Sequence, residues 1–353
     1  MWTVRRTNTP RHIDDTAVNI NGKIHWFDIH HDPSTPSLED TTAAYIFDSV
    51  SNRWDLMYPQ SLIKDESINI SDHSVVAYSH CAYLWGSLQK WLNRNALYRI
   101  DANTMTWGRP VVTGDAPTSS YGHSACLMGH RMYVFGHFVG VDSRDVHFLD
   151  LDKMEWHHVP SSGEVPTRRC FHTATAIGTR MYVWGGNTKD DSGGFGFYCD
   201  SSIYYLETTT SAWTHPHVKG VPPVGRQGHS SFAYNKQLYV FGGYNALLDN
   251  YFADIHKYDP ESSRWTEVKP CGSGPSARNW HGCSITGERV FIFGGLGPAG
   301  NEDNETLTDM HVLHLAPTLK NLCLLAIIDA ELDVRDFPPF VRDEINAITL
   351  CRS

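Results

Sequence analysis

The sequence predicts an all-β fold: a six-bladed β-propeller of four-stranded sheets, closed by its N-terminal strand and followed by a short α-helical tail. Three observations carry this. The segment RQGHSSFAYNKQLYVFGGY, from Arg226, recurs as RCFHTATAIGTRMYVWGGN from Arg169 and as RNWHGCSITGERVFIFGGL from Arg278. The offset between copies is the same whether measured at the Arg, the His or the Gly pair. An acid precedes a tryptophan at one fixed separation five times, at Asp48/Trp54, Asp101/Trp107, Asp150/Trp156, Glu207/Trp213 and Asp259/Trp265. Successive tryptophans lie about 50 residues apart, the period of one four-stranded blade. Finally, 41% hydrophobic, 12% aromatic and only 19% charged residues suit a sheet-rich protein with a sizeable core.

Taken in order, each element has a physical job. "MWTV" is a lone strand carrying Trp2, and the last copy, ending in "DMHVLHL", has no hairpin Trp after it. The N-terminal strand is therefore expected as the outer strand of the sixth blade, protecting edges that would otherwise lie open. Strand pairs begin near Asp15, His73, His123, His172, His229 and His281, which counts six blades. Each His opens the innermost strand, where its ring is expected to pair with buried backbone. Repeated once per blade, these rings are spread around a circle and cannot converge as metal ligands do, so no metal or cofactor is expected. The Gly pair ends the second strand where the chain turns sharply and a side chain would collide with the next blade. The acid and turn-forming residues close a hairpin, and its Trp fills the wedge between adjacent sheets. The first three copies are degraded: Asp15 replaces His, Asn69-Ile70-Ser71 and Ser119-Ser120-Tyr121 lack the Arg, and Gly86-Ser87 and Gly136-His137 keep one glycine each. The end surface of blades 1 to 3 should therefore differ from that of blades 4 to 6.

Composition excludes several function classes. The net charge of -10 would repel a duplex and favours a cationic partner, so direct nucleic-acid binding is not expected. No apolar leader stands in residues 1–9 and no run of about 18 apolar residues occurs, so neither a secretory signal nor a membrane span is expected. The eight cysteines are scattered and read as free thiols of a reducing compartment. No nucleophile–base pattern, H-E-x-x-H or phosphate loop is present, so a non-enzymatic protein is expected.

A ligand site is expected where loops converge. The loop before a blade's first strand and the loop after its second lie on the same face. Arg169, Arg226 and Arg278 occupy the first kind of loop in three adjacent blades; Asn187, Tyr244 and Leu296 follow the Gly pairs in the second. Three guanidiniums converging in an acidic protein would suit bidentate capture of a carboxylate; the alternative is that each pairs locally with a carbonyl or an acid.

The propeller is expected to span 1–315 and the tail 316–353. "PTLKNLCLLAIIDAEL" opens with a helix-entry signal. Leu319, Leu322, Cys323, Ala326 and Ile327 share one helical face, and Leu324, Leu325 and Ile328 occupy the other, so the helix needs burial on more than one side. A second short helix is expected in "FPPFVRDEINAI", with Val341, Ile345 and Ile348 on one stripe.

With a 50-residue repeat carrying Gly pairs, Arg-x-x-His and hairpin tryptophans, the chain resembles the kelch family, and over its whole length the kelch-repeat substrate receptors of cullin 2 RING ubiquitin ligases. The resemblance runs from "MWTV" through "GYNALLDNYFADIHKYDP" to the tail. Leu319, Leu322, Cys323 and Ile327 are similar to a BC box that grips elongin C in the elongin B/C pair, and Phe337-Pro338 with Val341 and Ile345 is similar to a cullin 2 box. The resemblance implies that C-terminal degrons ending in glycine enter the kelch mouth, in the cytoplasm and nucleus. Relatives carry an arginine where this chain has Asn187, and Ser or Arg at the position of Gln227, so Asn187, Gln227 and Tyr244 are the expected degron-facing residues beside the arginines. The competing reading is a non-enzymatic kelch interaction scaffold, for chromatin in meiotic germ cells or for the cytoskeleton.

Overall fold

The structure is a computed structural model; it describes residues 1–5, 16–28, 43–62, 71–89, 92–118, 122–136, 144–189, 197–299, 304–319, 322–324, 327, 335, 337–339 and 341–342. Asp15, 69–70, 119–121, 137, Leu325, Ala326, Ile328, Ile345 and Ile348 lie outside the described residues.

The described chain is almost entirely β. Six sheets of four or five strands follow one another, and each repeats one meander. In the fifth sheet, Ser230–Tyr234 pairs with Gln237–Phe241, that with Ile255–Asp259, and that with Arg264–Val268. The second strand of this sheet, Gln-Leu-Tyr-Val-Phe, is buried from Leu238 onward, because it is covered by sheets on both faces. Trp2–Arg5 is the outer strand of the sixth sheet, antiparallel to Met310–His314 with Trp2 opposite Leu313. Chain start and last strand thus share one sheet, and Trp2 stands where the other hairpin tryptophans stand.

The repeated acid is a hairpin cap. Oδ1 of Asp48, Asp101 and Asp150 accepts backbone N–H groups two and three residues on: Val50 and Ser51, Asn103 and Thr104, Asp152 and Lys153. This side-chain mimicry of a turn explains the invariant separation from the Trp. Each Trp then packs on the preceding sheet: Trp156 on Trp85 (4.7 Å between ring centroids), Trp213 on Phe135 (5.0 Å), Trp265 on Trp184 (5.7 Å), Trp2 on Phe241 (5.8 Å) and Trp54 on Phe293 (5.4 Å). The core is accordingly split into six apolar clusters, each bridging two sheets.

The histidines also join neighbouring sheets through side-chain hydroxyls, partners not among the expected ones. Nε2 of each ring pairs with a hydroxyl of the neighbouring sheet: Thr16–His73 2.9 Å, Ser74–His123 2.7 Å, Ser124–His172 2.7 Å, Thr173–His229 2.9 Å and Ser230–His281 2.9 Å. Ser74, Ser124, Thr173 and Ser230 each follow the His of their own copy by one position, so one dipeptide serves two junctions, and Thr16 follows Asp15. Between first and sixth sheets Asn19 donates instead to the Ile285 carbonyl (3.1 Å). The glycines make room for these rings. A Cβ on Gly136 or Gly185 would lie 2.5 or 2.6 Å from Cε1 of His172 or His229 in the next sheet, at φ +76° and +73°, a conformation that also strains any side-chain-bearing residue.

Candidate functional site

The mouth is the end of the sheets where the inner strands begin. There the sequence places two loops side by side, and they are paired: Cys170 lies opposite Asn187, Gln227 opposite Tyr244 and Asn279 opposite Leu296. Gln227 and Tyr244 exchange both backbone hydrogen bonds at 2.9 Å. These pairs lift three small hairpin sheets above the fourth, fifth and sixth sheets, the last two of them Tyr244–Asn245 with Asn250–Tyr251 and Leu296–Pro298 with Asn304–Thr306.

The arginines do not serve this surface as an open anion site. All three are fully buried and engaged within their own sheets. Arg169 donates to the Gly185 carbonyl (3.1 Å) and to Asp200 (2.9 Å). Arg226 donates to the Gly242 carbonyl (3.1 Å) and forks onto both oxygens of Asp254, with its guanidinium 3.7 Å from the centroid of Phe252. Arg278 repeats this with the Gly294 carbonyl (2.9 Å) and Asp309 (2.7 and 2.9 Å). Three converging guanidiniums are thus replaced by three separate clamps. The physical reason is that a buried guanidinium must have an acid beside it, and each copy supplies one just before its third strand. That recurring Asp was the available sequence signal. Burial alone would raise Asp254 and Asp309, yet hydrogen bonds from His256 and Arg226, and from His311 and Arg278, hold both well below the usual carboxylate range. Burial, reinforced by the neighbouring arginine, pushes His172 and His281 far below the ordinary imidazole value and His229 down to about 3.

Among the described residues the mouth offers amides and aromatics, with Asp249 as an exposed acid. The Asn187 side chain donates to Gln227 Oε1 across the junction of fourth and fifth sheets, and Cys199 Sγ donates to Asn187 Oδ1 at 3.1 Å. Tyr244 donates its hydroxyl to Asp249 (2.8 Å), which raises the phenol to about 12. The residue before each of His123, His172, His229 and His281 takes a left-handed conformation: Gly122, Phe171, Gly228 and Trp280 have φ of +70°, +57°, +59° and +51°. Their backbones form a hydrogen-bonded belt, with Phe171 N–H donating to Gly122, Gly228 to Phe171 and Trp280 to Gly228. Phe171 and Trp280 meet edge to face at 5.0 Å. Two aromatics held in a conformation ordinarily left to glycine give the mouth a rigid apolar floor. Phe171, Trp280, Cys170 and Cys199 carried no periodic signal, since they fill the variable positions of the repeat.

The tail follows Leu315 in helical turns at 319, 322–324 and 327, then at 339 and 341–342. Leu322 N–H donates to the Thr318 carbonyl (3.0 Å). Leu319 is 76% and Leu322 41% exposed, and Cys323 is exposed, whereas Leu324 is 6% exposed. The helix therefore buries one side and presents the other to solvent. Ile327, Phe337 and Val341 are half-buried and Pro338 is exposed.

Residues 72–295 match a family model described as the KLHDC2/KLHL20/DRC7 Kelch-repeats domain. The chain is 36% identical to kelch domain-containing protein 3 of Rattus norvegicus over 368 residues, covering 99% of this chain and 96% of the relative. It is 35% identical to the Homo sapiens protein of that name over the same shares of each chain, and 28% identical to Mus musculus kelch domain-containing protein 1 over 68% of this chain and 65% of the relative. The solved structure of YjhT superposes with a TM-score of 0.62 at 15% identity, covering 87% of this chain and 95% of that one, which bears on the fold alone.

Proposed function

The chain belongs to the kelch domain-containing protein 3 family, and from that premise we propose that it is the substrate-recognition subunit of a cullin 2–elongin B/C RING ubiquitin ligase. The family supports a protein-interaction role, and kelch-repeat relatives are typically non-catalytic. In this reading the six sheets are blades of one ring closed by the Trp2–Arg5 strand, spanning 1–315, and residues 316–353 are the ligase-docking tail. The observation that carries it is the exposure of Leu319, Leu322 and Cys323 beside a buried Leu324. Exposed apolar side chains on a short helix seek a groove, and an elongin C surface fits them, with Phe337, Pro338 and Val341 facing cullin 2. Substrate C-termini of the glycine type enter the mouth, where Asn187 and Gln227 donate hydrogen bonds in place of a cation and Tyr244 lines the rim. The ligase would act in cytoplasm and nucleus.

Co-purification of the full chain with elongins B and C tests the assignment. Leu319→Ala with Cys323→Ser should abolish it while leaving the melting temperature unchanged, because both side chains are exposed. Retained binding by the double variant sinks the docking assignment and leaves an interaction scaffold, the chromatin-associated reading among its forms. Binding of a labelled peptide ending in glycine, compared with its amide, tests the mouth separately.

A further inference from the structure

The side-chain hydrogen bonds at the junction of the fourth and fifth sheets run in one direction. Cys199 stands opposite Asn187 in the small sheet beside the mouth, and Gln227 lies across the junction. Cys199 Sγ donates to Asn187 Oδ1 at 3.1 Å, and Asn187 Nδ2 donates to Gln227 Oε1. The relay therefore starts from a thiol, and the thiol's proton decides its sense. Burial raises Cys199 above the ordinary thiol value, against the Ala246 N–H and Arg226, which favour the thiolate. A protonated thiol has one hydrogen to give. The other oxygen in reach, the Tyr244 carbonyl, is farther away at 3.9 Å and already accepts the Gln227 N–H. The Cys199 hydrogen accordingly goes to Asn187.

Each side-chain amide carries one acceptor oxygen and two N–H donors. Here both oxygens are turned into the relay: Asn187 Oδ1 takes the thiol hydrogen, and Gln227 Oε1 takes an Asn187 N–H. The backbone N–H and carbonyl of Gln227 are spent on Tyr244. What is left over is donors: both N–H groups of Gln227 and one of Asn187, none with a partner among the described residues. Both side chains are half-buried, and Gln227 Nε2 is not closed off from solvent. The nearby guanidiniums of Arg169 and Arg226 are held by Asp200 and Asp254, so selection at this wall falls to uncharged donors.

We propose that Cys199, acting through Asn187, is a positioning residue that makes this wall of the mouth donor-only, so that it selects an acceptor-only group, the free carboxylate ending a peptide. This rests on the reading of the mouth as a site for peptide C-termini. An ionised carboxylate only accepts hydrogen bonds, whereas a terminal carboxamide brings N–H groups of its own to meet the N–H groups of the wall. The relay fixes which end of each amide faces the ligand. Without the thiol hydrogen, Asn187 and Gln227 can turn over together and still bond to each other. The wall then presents oxygen, which repels an anion and accepts from an amide. Cys199 thus sets specificity without touching the ligand.

The test compares the full chain with its Cys199→Ala and Cys199→Ser variants. It measures binding of one labelled glycine-ended peptide and of the same peptide as its C-terminal amide, and reads the S–H stretch by infrared difference spectroscopy. The band that Cys199→Ala removes should lie at the lowered frequency of a thiol donating to oxygen. Cys199→Ala should reduce the preference for acid over amide by about tenfold, the effect of one aligned hydrogen bond to a charged group. Cys199→Ser keeps a donor and should restore the preference. Lost packing would instead weaken acid and amide alike, and in both variants, since both remove the sulfur. The relay is overturned if the Cys199 band is that of an unbonded thiol, if Cys199→Ala keeps the full preference, or if Cys199→Ser behaves as Cys199→Ala does. A parent chain that binds acid and amide equally overturns the peptide-terminus reading and this specificity with it, and a lowered Cys199 band in that case shows that the failure lies in the ligand and not in the relay.

Discussion

Replacing Arg169 by Met distinguishes a clamp from a ligand-binding arginine. The guanidinium is 0% exposed and its partner Asp200 is 14% exposed. Removing one member of a buried pair typically costs about 3–5 kcal/mol, because the other charge is left without compensation. Asp200 keeps the Ser202 N–H at 2.9 Å, which points to the lower end, about 3 kcal/mol. The orphaned Gly185 carbonyl adds about 1 kcal/mol. Urea unfolding followed by tryptophan fluorescence and circular dichroism should therefore show a loss of about 3–4 kcal/mol. Arg169→Met combined with Asp200→Asn removes the stranded charge, and its loss should be clearly smaller than that of the single variant. If Arg169→Met stays within about 1 kcal/mol of the parent while a glycine-ended peptide loses at least about tenfold in affinity, a step of about 1.4 kcal/mol, the clamp reasoning is wrong and the guanidinium belongs to the ligand.

Trp2→Ala should cost about 3–5 kcal/mol, the range for emptying a buried aromatic site, because Trp2 is 5% exposed against Phe241 and His311; an unchanged denaturation midpoint would remove the sixth-sheet role of the N-terminal strand. Stability should fall with acid. His172, His229 and His281 are held neutral below their ordinary value, so their contribution is complete above about pH 6.5 and is lost below it at up to about 1.4 kcal/mol per pH unit for each ring. For His229 the loss runs on to about pH 3; urea midpoints independent of pH from 7.5 to 4.5 would contradict the buried neutral rings. Gly185→Ala should cost at least about 2 kcal/mol through left-handed strain and overpacking, since its Cβ would stand 2.6 Å from His229; a thermal melt that matches the parent would show that the ring moves aside at no cost.

Periodicity by itself determined the strands, the hairpins and the place of each tryptophan. An Asp followed at a fixed distance by a Trp is local chemistry: the carboxylate caps the turn made by the next residues, and nothing distant is needed. The pairing of each mouth loop with the residue after its Gly pair was legible for the same reason, because both ends of one strand pair are fixed by its length. The fate of Arg169, Arg226 and Arg278 was decided only by tertiary structure. Their acids lie 31, 28 and 31 residues away along the chain, and a guanidinium that looks free in sequence is consumed once folding removes it from water. The histidines show the same limit across a larger span. Thr173 and His229 are 56 residues apart, and only the stacking of sheet on sheet brings a hydroxyl to the buried imidazole. Phe171 and Trp280 meet across Gly228 for a reason no single copy contains: each fills a variable position of its own repeat, and the contact exists only where three sheets converge.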